Sequence, residues 1–169
     1  MKLNSLLYFL LITMISISSA RASTKTLSST LTINVNFFAP SCDVKVPSEY
    51  DLGSLTPGNK IEHKKINIEI SCIDSYSYST GLIASVRKGT LDTFQTSVQM
   101  LANDEENGPF LSLKDEGGTL IKMTGNKSDA FCIGGDKKRI CSITPISNVP
   151  SDAISGRVIA VINFSIIYS

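Results

Sequence analysis

The sequence predicts an all-β domain, and three observations carry that prediction. Short runs of alternating apolar and polar residues recur along the chain, each bounded by Gly, Pro, Asn or Asp. Four cysteines stand at the ends of such runs. The last fourteen residues, Gly156 to Ser169 (GRVIAVINFSIIYS), read as one β-branched strand. In that strand Val158, Ala160, Ile162, Phe164, Ile166 and Tyr168 fall on one side, while Ile159, Val161 and Ile167 share the other with Asn163 and Ser165. A strand apolar on both faces is expected inside a sandwich. It is also the last in the chain, so its outer edge is expected to be covered by another chain, because an uncovered apolar edge aggregates.

The elements follow in order. Met1 to Ala22 has a basic start at Lys2, an apolar core from Leu6 to Ile17 and Ala20-Arg21-Ala22 as a small-x-small cleavage site, which is the pattern of an export signal. The apolar run is too short to span a bilayer as a helix. Cleavage after Ala22 removes Lys2 and Arg21 and no acid, leaving 147 residues with 14 bases against 15 acids. That length suits one domain with a core of its own. The near-neutral charge points away from nucleic acid and from anionic membranes.

Ser23 to Thr30 (STKTLSST) is small and polar. Leu31, Ile33, Val35 and Phe37 then alternate with Thr32, Asn34 and Asn36 as a half-buried strand. Val44 and Val46 alternate with Asp43 and Lys45 until Pro47 ends the run, and Pro57-Gly58 makes a turn. Ile66 to Cys72 (INIEISC) alternates again. Gly81–Lys88 and Thr96–Leu101 read as strands, and Asn103–Gly108 (NDEENG) as an acidic loop. Residues 108 to 123 hold two apolar runs around Asp115-Glu-Gly-Gly, a hairpin turn by composition. Phe131 to Cys141 sets a glycine-bearing basic loop between two cysteines, as in a stapled hairpin.

In an exported chain the four cysteines are expected to be oxidised in pairs. Three pairings are open. Adjacency of strand ends favours Cys42 with Cys72 and Cys132 with Cys141. The spacings contain no CxxC and the compartment is oxidising, which argues against zinc, and no other metal or cofactor pattern is present.

Catalytic patterns are also missing. His63 lies between Glu62 and Lys64 in a polar stretch expected to be a solvated loop, with nothing in the sequence near it to suggest a triad. Asp104, Glu105 and Glu106 are consecutive and point in different directions, as solvated loop residues do. No GxSxG, P-loop or GxGxxG occurs, so the chain is not expected to be an enzyme.

Several of these features resemble one family. Gly156 fourteen places from the C-terminus, the alternating run after it and the penultimate Tyr168 look like the C-terminal signature of chaperone–usher pilus (fimbrial) subunits. LTINVNFFAPSC resembles the N-terminal extension that such subunits donate, followed by a first strand holding the first cysteine. Leu52-Gly53 with IEISC, and the 108–123 run, are similar to the family's LG motif, second-cysteine strand and central hairpin. Two departures stand out: Val35 occupies a place where glycine is common, and the Cys132–Cys141 pair is not a usual feature.

The resemblance implies an incomplete immunoglobulin-like (pilin) β-sandwich, completed by a donated strand. It divides the chain into a signal peptide (1–22), a donor-strand extension (23–37) and a pilin-like domain (38–169). Leu31, Ile33, Val35 and Phe37 would be donated. Gly156, Val158, Ala160, Ile162, Phe164, Ile166 and Tyr168 would border the acceptor groove and bind the chaperone. The implied partners are a periplasmic chaperone, an outer-membrane usher and neighbouring subunits. The implied destination is a fimbrium at the cell surface, reached through the periplasm, with a role in adhesion. The alternative is a secreted or tip-located carbohydrate-binding module, but the chain has no Trp and only a loose pair at Tyr76 and Tyr78 to offer a sugar.

Overall fold

A computed structural model of the chain describes residue 33, residues 41–73 and residues 79–168. The expected signal peptide, Leu31, Val35 and Phe37 of the expected donor strand, and Tyr76 and Tyr78 lie outside the described residues. The compact unit comprises Phe38–Ser169.

Twelve strands are described: β1 (Cys42–Lys45), β2 (Gly58–Glu62), β3 (Ile66–Cys72), β4 (Thr80–Lys88), β5 (Thr90–Leu91), β6 (Ser97–Gln99), β7 (Leu101–Ala102), β8 (Phe110–Lys114), β9 (Phe131–Gly134), β10 (Lys138–Val149), β11 (Val158–Ile159) and β12 (Val161–Tyr168). A larger sheet runs β1-β3-β10-β8-β6-β5, with β2 also on β10. A smaller sheet runs β12-β4-β9, and β11 pairs with β7 in a short ribbon. The fold is thus an all-β sandwich of immunoglobulin type.

Alternation along each strand sends one set of side chains between the sheets. Ile68 and Ile70 of β3, Leu113 of β8 and Ile143 of β10 meet Leu82 and Ala84 of β4 and Phe131 of β9, all buried. The long β10 is the spine: β3 lies along its first half and β2 along its second. At the break between β2 and β3, the His63 N–H donates to the carbonyl of Pro145 at 2.9 Å.

Four expectations need correction. The terminal run is two strands, because the backbone changes partner at Ala160: β11 lies on β7, and β12 lies on β4 from Val161↔Lys88 to Tyr168↔Thr80. Among the described strands, β12 is at the edge of the smaller sheet and not in the sandwich interior. The 108–123 hairpin forms its turn, with the Asp115 carboxylate accepting from the Thr119 N–H at 2.7 Å, but its second arm makes only bridges. That arm crosses to the other sheet, where the Val86 N–H donates to the Met123 carbonyl at 3.3 Å and Ser85 bridges Thr124. Lastly, Phe131–Cys141 is no hairpin: β9 belongs to the smaller sheet and β10 to the larger.

Candidate functional site: the slot between the first and last strands

Both expected disulfides are present, Cys42–Cys72 and Cys132–Cys141, so every thiol is oxidised. They do different work. Cys42 faces Cys72 across the β1–β3 ladder, a cross-strand link within one sheet. Cys132–Cys141 joins β9 to β10 and so clamps one sheet to the other at one end of the sandwich.

Arg139 reinforces that clamp. From β10 its guanidinium donates to the carbonyl of Thr80 at 2.8 Å and to that of Cys132 at 3.2 Å, both in the smaller sheet. Burial pulls its pKa below the ordinary arginine value, against the opposing influence of Asp136. The Cys72 N–H donates to the Lys137 carbonyl at 2.7 Å, bringing the first disulfide to the same end. We call this the cystine end. The opposite end carries Asp104, Glu105, Glu106 and Asp152, and is the acidic end.

Between the two sheets one long side of the sandwich is open. Among the described strands, β1 pairs only with β3 and β12 only with β4, so each presents one row of unpaired backbone N–H and C=O groups. At the cystine end the Cys42 N–H donates to the Tyr168 hydroxyl at 3.2 Å, tying the first strand to the last.

The floor of this slot is apolar. Ala160, Ile162, Phe164 and Ile166 from one side and Val44 from the other pack on the core yet remain only partly buried. Phe164 meets Phe131 edge to face, with ring centroids 6.3 Å apart. A well-packed strand in a finished sandwich would bury these side chains as fully as Ile68 or Leu82. Among the described strands, β12 has no neighbour on its outer edge to complete that burial.

Of the residues expected to border a groove, Ala160, Ile162, Phe164, Ile166 and Tyr168 do lie along the slot. Gly156 and Val158 lie before it. Gly156 is a bend residue with φ +155°, and a Cβ there would come within 2.5–2.9 Å of the Asn103 side-chain amide. The Arg157 carbonyl accepts from the Asn103 N–H at 3.1 Å, so this glycine docks the last segment onto the acidic loop. Val158 is paired with Ala102 in the short ribbon.

Sequence reasoning also misplaced His63. It is half-buried, and its Nε2 lies 2.9 Å from Ser147 Oγ, whose residue is completely buried. The pair satisfies a buried hydroxyl. No local pattern could have found it, because 84 residues separate the partners.

An immunoglobulin-type sandwich with an open side defines the class of protein by its fold. Solved structures share that fold. One is a chain from the structure of a chaperone–usher pilus, with a TM-score of 0.59 and 14% identity, covering 86% of this chain and 98% of the other. Another is the P pilus rod subunit PapA, with a TM-score of 0.56 and 14% identity, covering 76% of this chain and 99% of the other. At that identity the likeness is one of fold. No protein-family model matches the chain, and no curated protein matches its sequence.

Proposed function

We propose that this chain is a structural subunit of a chaperone–usher fimbrium, exported through the periplasm and polymerised by strand donation at the cell surface, where it contributes to adhesion. The observation that carries the reading is the slot: two facing strand edges with no partner among the described strands, over apolar side chains left partly exposed. A β-strand of alternating pattern satisfies both needs at once, with main-chain hydrogen bonds along β12 and apolar side chains entering the core. Leu31, Ile33, Val35 and Phe37 have that pattern. A periplasmic chaperone would hold the slot until an outer-membrane usher admits the next subunit. The fold shared with pilus rod subunits supports the same reading. The exchange needs no cofactor, since it replaces one set of strand contacts by a better one.

Deleting residues 23–37 tests the proposal. The shortened subunit should still be captured by its chaperone and still accept a neighbour's strand, but donate none, so that it can start a fibre and cannot join one that is growing. Failure of the deletion variant to fold with chaperone present would make Leu31–Phe37 part of the chain's own core, and strand donation would be wrong.

A further inference from the structure

A loop at the cystine end and a hollow at the acidic end carry charges of opposite sign that have no ion-pair partner among the described residues. At the cystine end, the loop between Cys132 and Cys141 exposes Ile133, Lys137, Lys138 and Ile140. Neither Lys137 nor Lys138 has an ion-pair partner among the described residues. Asp136, the acid of this loop, lies beside Arg139. The loop is held at both feet by the intersheet disulfide and at its centre by the Arg139 hydrogen bonds, so its lysines project from a fixed base.

At the acidic end there is a concavity of about 380 Å³. Phe110, Pro150, Ala153 and Ile154 give it apolar walls, and Glu106 and Asp152 line it as well. Those two carboxylates likewise have no ion-pair partner among the described residues, whereas Asp104 is paired with Lys88 at 2.9 Å. Nothing basic lines the hollow.

Chain connectivity brings these two ends together between copies, on the reading of the previous section. Every strand pairing described in this fold is antiparallel. β12 runs from Val161 at the acidic end to Tyr168 at the cystine end, so a strand laid antiparallel on it leaves the slot at the acidic end. Only Phe38 to Ser41 separate the donated Phe37 from Cys42 at the donor's cystine end. Five Cα–Cα steps reach at most about 17 Å. The donor's cystine end must therefore abut the acceptor's acidic end.

We propose that the Cys132–Cys141 loop of one subunit docks into the Glu106–Asp152 hollow of the next copy of this chain, with Lys137 and Lys138 meeting those carboxylates. It is a heterologous, head-to-tail contact, which propagates into a filament and does not close. The opposite charges select the orientation of the incoming copy. This inference rests on strand donation and adds a second contact to it, one that gives the extra disulfide a purpose: a rigid loop loses little freedom on docking.

The test is a charge swap in full-length protein assembled into fibres by its own cells. Three variants are compared with the unaltered chain: Lys137→Glu with Lys138→Glu, Glu106→Lys with Asp152→Lys, and all four together. Each fibre is followed by its dissociation rate in denaturant, and each purified variant by its binding of a synthetic peptide copying residues 29–38. Either half-swap should speed dissociation roughly tenfold at low salt, less at high salt, and the fourfold variant should return to the starting rate. Peptide binding should be the same in all four proteins. Equal dissociation rates, or a fourfold variant no better than the half-swaps, would overturn the docking while leaving strand donation standing. A peptide that binds none of them would sink strand donation itself, and the docking with it. Peptide binding without fibres in the unaltered protein would overturn a second copy as the occupant.

Discussion

The backbone N–H of Cys42 donates to the hydroxyl of Tyr168 at 3.2 Å, so that the first residue of the first strand is tied to the final residue of the last strand at the cystine end. This bond crosses the slot where its two walls have no ladder between them. Replacing Tyr168 by Phe removes the acceptor and keeps the ring. A cost of about 0.5–1.5 kcal/mol is expected, read as a lowered melting temperature of the peptide- or chaperone-bound domain. An unchanged melting temperature would mean that the slot end is held by other contacts.

The second disulfide is a clamp between sheets, which makes its removal a test of the sandwich and not of a hairpin. With a sequence separation of nine between its cysteines, the chain-entropy model gives about 2.7 kcal/mol. The paired change Cys132→Ala, Cys141→Ala should lower stability by roughly that amount in denaturant titration. Adding Arg139→Ala should lower it further, since its guanidinium makes the other direct links from β10 to Thr80 and Cys132.

Gly156→Ala should destabilise the domain by about 1–3 kcal/mol, because φ +155° is strained for any residue with a Cβ. The clash with the Asn103 amide adds to that strain. The double variant Gly156→Ala, Asn103→Ala separates the two: it should recover the steric part and keep the strain. Full recovery would show that the backbone angle carries no cost.

Asp129 gives the acid side of stability. Its carboxylate accepts from the Thr124 hydroxyl and lies 3.6 Å from the Lys122 ammonium, and the hydroxyl bond is the larger cause of a pKa held below the usual aspartate value. A depressed carboxyl pKa stabilises the folded state above the unfolded value and loses that contribution as pH falls through the folded one. The chain should therefore lose stability below about pH 4, and Asp129→Asn should flatten that part of the curve. Parallel acid curves for the two proteins would remove Asp129 from the account.

Much of this was legible in sequence because it is local. Alternation found β1, β3, β4, β8 and β12 to within a few residues, and strand adjacency accounts for Cys42–Cys72, whereas Cys132–Cys141 was paired correctly although its strands lie in facing sheets. Long-range choices escaped. Nothing local distinguishes an arm that returns on its own strand from one that crosses to the facing sheet, as Leu120 to Thr124 does. Nor does a run of β-branched residues reveal that its ladder changes partner at Ala160. The apolar pattern of β12 was read as interior, although among the described strands it is an edge, because an apolar run does not tell which neighbours flank it.

Phe164 is where the question can be tested. Its ring is packed edge to face on Phe131 and stays only partly buried, so it faces the slot and the core together. Burying a side chain of this size is worth roughly 1.5–3 kcal/mol, and Ile162 and Ile166 add similar amounts when a strand covers the slot. Without cover the mature subunit should aggregate, and a peptide copying residues 29–38 should keep it soluble. Phe164→Asp places an unpaired carboxylate where the incoming strand must seal, which should abolish peptide binding, chaperone capture and assembly. Phe164→Leu, which keeps an apolar group of similar reach, should bind more weakly but still assemble. A soluble monomer that melts cooperatively at high temperature without peptide or chaperone would show the sandwich to be complete, because a side whose apolar floor needed another chain could not stand open to water at no cost.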